Sequence, residues 1–215
     1  MSITESYRRT IADGSSPERA NAFSDAVFAI AMTLLVLEIH VPETDDGDLA
    51  ASLAALVPSY LTFALSFVVV GAIWMSHHRK FRAIERIDQP ILRLNLLMLL
   101  VVASLPLPTA ILGRFGDEVI SVYVYAASIA AIGFLICAMW IYAWHRGFVA
   151  ASVDVDVFRY VLVQSLPIPG MFLLSIPIAL LFGATVAELT WALTLPLSFL
   201  ITRVYRARRA ERHPS

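Results

Sequence analysis

Residues 18–42, ERANAFSDAVFAIAMTLLVLEIHVP, lead from a charged and polar entrance into an almost unbroken apolar segment. A helix needs about 20 apolar residues to cross a bilayer, and this stretch supplies them. Arg19, Ser24 and Asp25 stand at its mouth, where charge beside hydrocarbon is costly unless partnered. Reading it as a membrane span decides the fold class.

Five further segments of similar length and character follow, so the chain reads as an all-α, polytopic integral membrane protein with six transmembrane helices. They run from about Asn21 to Val41, Leu53 to Met75, Ile91 to Leu112, Val119 to Trp144, Val157 to Phe182 and Ala187 to Val204. Composition agrees: 59% of residues are hydrophobic and 15% charged, with a mean hydropathy of +0.74, against roughly 45–50% apolar in soluble domains. Pro106 and Pro108 in the third segment, and Pro167, Pro169 and Pro177 in the fifth, predict kinks, because proline lacks the backbone donor and clashes with the preceding turn.

Charge is segregated rather than mixed. If the N-terminus is cytoplasmic, 16 basic residues distribute so that all but Arg114 fall on the inner side: Arg8, Arg9 and Arg19; Arg79, Lys80, Arg82, Arg86 and Arg93; Arg146 and Arg159; Arg203, Arg206, Arg208, Arg209 and Arg212. The positive-inside rule then places both termini in the cytoplasm. The first outer loop carries Glu43, Asp45, Asp46 and Asp48, read as a solvated loop rather than a cation vestibule. The division is residues 1–20 as a cytoplasmic N-terminus, 21–204 as one membrane domain and 205–215 as a basic cytoplasmic tail, without internal repeat. The polar N-terminus lacks the apolar core and cleavage site of a secretory signal, so the first span is expected to remain in the mature protein.

No HExxH, GxSxG or GxxxxGK[ST] sequence occurs, so the expectation is no enzyme, no cofactor and no resident metal. His77 and His78 project about 100° apart on a helix, poor geometry for a shared ion. Cys137, the one cysteine, sits in an apolar run and reads as a small buried residue. TVGYG is absent, so any ion path must be lined by side chains.

On a wheel of about 100° per residue, Phe23, Ala26, Leu34, Leu37 and Val41 lie within roughly 40° of Ile30, and Thr33 about 60° to one side. Asp25 and Ser24 fall about 140° and 120° away, toward neighbouring helices. One face is free to line an axis while the other carries polar pins, and such a stripe equally suits lipid contact or packing. Partners for Asp25 at similar depth are His77 and Asn95, while Arg19 is placed to snorkel to the inner lipid surface.

Arg19-x-x-x-Phe23-Ser24-Asp25 followed by AVFAIAMTLLVLEI resembles the RxxxFSD signature and first helix of bacterial proteins similar to transmembrane protein 175, the endo-lysosomal potassium channel. WMSHHRKFRAIERID (74–88) and LNLLMLLVVASLPLPTAILGRFGD (94–117) resemble the same family. The resemblance is specific over residues 18–117 and compositional beyond. It implies a potassium-permeable channel, a homotetramer whose first helices line a central pore, without a carbonyl filter. Ile30 would form the apolar constriction, Thr33 a ring of hydroxyls, and Leu34 and Leu37 further layers. Ser24 and Asp25, in the signature with Phe23, would anchor the pore helix and Arg19 would help hold its inner end; by depth, Trp74, His77 and Asn95 are the candidates to complete the network. Expected partners are identical subunits, membrane lipids and the permeant ions, potassium above sodium, with protons open and no nucleic acid; the short bacterial members place it in an inner membrane.

Two rivals stand beside this reading. One is a proton-coupled or other secondary transporter using Asp25 and His77 as a relay, against which speaks the lack of repeats and midplane polar sites. The other is a membrane scaffold with RVYRARRAERHPS as its hook, although basic residues beside a bilayer more commonly meet anionic headgroups.

Overall fold

A computed structural model describes residues 17–39 and 49–212. The acidic loop residues Glu43, Asp45, Asp46 and Asp48, together with Arg8, Arg9 and Val41, lie outside the described residues. The helices are α1 (Pro17–Leu34), continued by a 3₁₀ turn (Leu35–Glu38), α2 (Leu49–Ala55), α3 (Val57–Ala83), α4 (Gln89–Ser104), α5 (Pro106–Arg114), α6 (Val119–His145), α7 (Val155–Ser165), α8 (Pro167–Phe182), α9 (Ala184–Trp191) and α10 (Thr194–Arg212). They combine into six segments long and apolar enough to cross a membrane: Pro17–Glu38, Ala50–Ala83, Gln89–Arg114, Val119–His145, Val155–Phe182 and Ala184–Tyr205.

The broken spans have a common cause. The third divides at Leu105 and the fifth at Leu166, and at each point two prolines fall in the first turn of the following helix, where a backbone donor is not needed. Pro177 is instead carried inside α8 without ending it. The second span runs on to Ala83 instead of stopping near Met75, since nothing in SHHRKFRA breaks a helix and Lys80 and Arg82 suit its C-terminal dipole end.

Side chains and glycines fix the connections at the end of the bundle where the second span finishes. Asp88 caps α4, its Oδ1 accepting from Ile91 N at 3.2 Å, and its Oδ2 accepts from the Tyr142 hydroxyl at 2.7 Å. Gly147, at φ +65°, closes α6. Its N–H donates to Trp144 O at 3.0 Å and Phe148 N–H to Ala143 O at 2.9 Å, the paired bonds of a Schellman terminus. Ile84 and Val149 then form an antiparallel bridge, flanked by Glu85 N to Phe148 O (2.8 Å) and Ala150 N to Ala83 O (2.9 Å). At the opposite end Gly183, at φ +87°, turns the chain from α8 into α9.

The fourth span is the hub. Val122, Tyr125, Ala126, Ile129, Ile132, Ile136, Met139 and Trp140 are buried along its whole length. Against it lies the fifth span, so close at one level that a Cβ on Gly133 would sit 2.7 Å from Pro169 Cβ. Water offers no drive to associate apolar helices in lipid, so such small-residue contacts hold the bundle together through close packing. The first span differs from this hub, burying one narrow face and leaving the other uncovered.

Candidate functional site

The α1 helix has two chemically distinct faces. Ser24, Phe28, Ala31 and Leu35, spaced by three or four residues, are buried against the second and third spans. Phe23, Ala26, Ile30, Thr33, Leu34 and Leu37 form the uncovered face, with Ile30 59% and Leu37 65% exposed. The 3₁₀ turn at Leu35–Glu38 brings Leu37 over Leu34, because residues three apart eclipse in that geometry. The stripe therefore continues in line past the end of the α-helix.

Thr33 is the one hydroxyl on that stripe. It donates to Ile30 O at 2.8 Å. With its proton committed to its own helix, its oxygen lone pairs are what it presents outward.

Behind the stripe, two hydrogen-bonded groups hold α1. In the first, Asp25 uses both oxygens: Oδ1 accepts from Trp74 Nε1 at 2.8 Å, while Oδ2 accepts from Asn21 Nδ2 at 3.1 Å and lies 3.4 Å from His78 Nδ1. Asn21 Nδ2 also lies 3.3 Å from His78 Nδ1, and the rings of Trp74 and His78 are 5.6 Å apart. The second group is deeper. His77 Nε2 lies 3.0 Å from Asn95 Oδ1, Asn95 Nδ2 donates to Ser24 Oγ at 2.9 Å, and Ser24 Oγ donates to Ala20 O at 2.8 Å. An acceptor at Asn95 Oδ1 assigns the His77 proton to Nε2. Phe81 stacks on the His77 ring at 4.3 Å and Phe28 tilts against it at 5.7 Å.

Asp25, Trp74, Ser24, His77 and Asn95 are thus brought to one level of the bundle, but not around one centre. His77 and Asn95 serve Ser24 rather than Asp25, because the spacing of Ser24 from Asp25 turns the two side chains toward different neighbours. Among the described residues no hydrogen bond joins Asp25 to His77, which leaves the relay of the transporter reading without its link. Phe23 stands apart from both groups, 55% exposed on the uncovered face. Arg19 is exposed in the first turn of α1.

Two members of the network, Asn21 and His78, were not expected in it: His78 was weighed only with His77 as a metal pair, and Asn21 only as the start of the first span. Helical spacing carries the signal for both: Asn21 lies four residues before Asp25 and His78 four after Trp74, each on the same face as its partner.

Lys80, counted among the inner basic residues, does not face solution: it is 3% exposed, its Nζ 2.7 Å from both Ser76 Oγ and Ser165 Oγ.

Comparison with known proteins places this geometry in context. A family model described as endosomal/lysosomal potassium channel TMEM175 matches residues 19–106, which include both hydrogen-bonded groups and the stripe. A potassium channel from Streptomyces collinus is 42% identical over 132 residues, covering 59% of this chain and 63% of that one. The endosomal/lysosomal proton channel TMEM175 of Bos taurus is 38% identical over 138 residues, 58% of this chain and 29% of its own. The chain thus spans less than two thirds of these curated relatives' lengths. A solved structure of a lysosomal potassium-selective channel TMEM175 homolog from Chamaesiphon minutus superposes with a TM-score of 0.71 at 31% identity, covering 88% of this chain and 97% of that one.

Proposed function

Since the chain belongs to the endosomal/lysosomal potassium channel TMEM175 family, we propose that it forms a potassium-permeable cation channel lined by its first helix. The observation that carries this reading is the two-faced α1: a continuous uncovered stripe opposite a face on which Asn21, Ser24 and Asp25 bond to hold the helix. Ion conduction through a ring of such helices needs both, a wall and a mounting.

Four identical subunits around a cyclic axis would bring four stripes together. Ile30 and Leu37 would then make two apolar rings, with Leu34 between them and Thr33 supplying hydroxyl oxygens. A narrow apolar neck blocks ions by dewetting, because nothing there replaces the hydration shell. Opening must widen or wet it. Preference for potassium follows from the lower cost of partly dehydrating the larger ion, and is therefore modest. Asp25 sits behind the wall with both oxygens engaged, so it mounts the helix and does not meet the ion.

The chain is a multi-pass membrane protein; the distribution of arginine supports cytoplasmic termini, and the bacterial relatives favour a bacterial inner membrane. The bovine relative is named a proton channel, which makes protons the second permeant to measure. Purified protein in liposomes tests the reading: potassium flux should exceed sodium flux, and Ile30→Asn should raise flux or erode the preference at matched oligomeric state. Folded oligomers that pass neither ion, in both forms, would make the stripe a packing surface.

A further inference from the structure

Lys80 is a charge in the wrong place for a membrane protein. The residue is 3% exposed, and among the described residues no carboxylate pairs with its ammonium. Its partners are two neutral hydroxyls, Ser76 Oγ one turn back on α3 and Ser165 Oγ on α7, both at 2.7 Å. The space between it and His77, Phe81, Ile136, Met139 and Trp140 is too tight for a water molecule. Desolvating an ammonium without an anion is costly, and a well-packed apolar side chain of similar length is commonly the more stable choice.

What the charge touches is specific. Ser165 is the last residue of α7, immediately before the break that Pro167 and Pro169 impose on the fifth span. On the other side, Lys80 lies one turn from His77, whose ring belongs to the group anchoring Ser24 of α1. A single side chain thus connects the break of a peripheral span to the turn of α3 that mounts the first helix.

We propose that Lys80 is a positioning residue for conduction, a strap that holds the break of the fifth span against α3 and thereby keeps the first helix in its narrowed, restrained arrangement. The strap acts through the turn that carries His77 and does not touch the ion; it rests on the channel reading above. Ser165 needs the ammonium less than the reverse, since its hydroxyl also donates to Val161 O at 2.6 Å.

The test compares wild type, Lys80→Met, Ser165→Ala and the double variant at matched oligomeric state, measuring thermal unfolding in detergent and potassium flux in liposomes. Lys80→Met should raise the unfolding temperature by about 2–8 °C, as relief of a buried charge, and also raise potassium flux by about threefold or more, a size usual for residues that modulate coupling. Ser165→Ala, which keeps the charge but loses the strap, should raise flux without the thermal gain, and the double variant should add nothing to the flux of Lys80→Met. A Lys80→Met protein that unfolds earlier with unchanged flux makes Lys80 a structural strut and overturns the proposal. So does a flux increase in Lys80→Met that Ser165→Ala lacks, which would mean that the charge acts by its field. These outcomes presuppose a conducting wild type; a wild type that passes no potassium overturns the channel reading and the strap with it.

Discussion

The indole N–H of Trp74 donates to Asp25 Oδ1 at 2.8 Å, joining the second span to the first at the level where the uncovered stripe begins. Trp74→Phe keeps the ring and deletes the donor. It should cost about 1–2 kcal/mol, below the top of the range for bonds to a charged group because Asp25 is partly exposed. Asp25→Asn should weaken the contacts to Trp74 and His78 together. Both variants are expected to lower the unfolding temperature and the yield of assembled protein while the survivors keep the wild-type potassium-to-sodium ratio. An Asp25→Asn protein that assembles normally and changes ion preference would place the carboxylate on the ion path.

The contact of the fourth and fifth spans predicts a contrast between two glycines. At Gly133 an added Cβ would meet Pro169 at 2.7 Å, while at Gly170 it would meet nothing within 4 Å. Gly133→Ala should therefore destabilise by about 1–3 kcal/mol through overpacking. Gly170→Ala, inside α8, should be neutral or stabilising by up to about 1 kcal/mol through helix propensity. Thermal unfolding of the two variants side by side measures the difference.

Asp88 serves two structures at once, capping α4 and accepting from Tyr142. Asp88→Ala should cost about 1–2 kcal/mol for the lost cap alone, and more once the Tyr142 hydroxyl loses its acceptor. Asp88→Asn retains an acceptor oxygen and should recover much of that loss. Denaturation in detergent, with Tyr142→Phe as the second arm of a double-mutant cycle, separates the two roles.

How far the sequence leads is clearest at the first span. The six spans follow from length and hydropathy, and the two faces of α1 follow from its period, because both are properties of the local chain. Lys80 shows the limit. Its sequence position beside Arg79 and Arg82 marks it as one more inner-loop charge, whereas its burial is set by Ser165, 85 residues away. The partition of the anchoring network is lost for the same reason: depth in the membrane makes His77 and Asn95 neighbours of Asp25, but only the rotation of three packed helices decides that they turn to Ser24. The last span also breaks, at residues 192–193 between α9 and α10, with the single Pro196 in the first turn of α10; no kink was expected there.

The hydroxyl on the stripe gives a prediction about selectivity. Thr33→Val preserves the shape of the side chain and removes the oxygen. If the Thr33 oxygens partly replace an ion's water, the potassium-to-sodium flux ratio should fall by roughly twofold or more with little change in stability, since the hydroxyl is exposed and bonded only to its own helix. Paired flux measurements on oligomer-matched liposomes would show it.

The central claim, that the uncovered stripe of α1 is the wall of the ion path, is tested most directly by cysteine accessibility during flux. In a Cys137→Ala background, a single cysteine is placed at Ile30, 59% exposed, or at Leu35, 1% exposed, and potassium flux is followed before and after a charged methanethiosulfonate reagent. Modification should block flux in the Ile30→Cys protein and leave the Leu35→Cys protein unaffected. Full flux through a modified Ile30→Cys protein, or block at Leu35→Cys alone, would contradict the account.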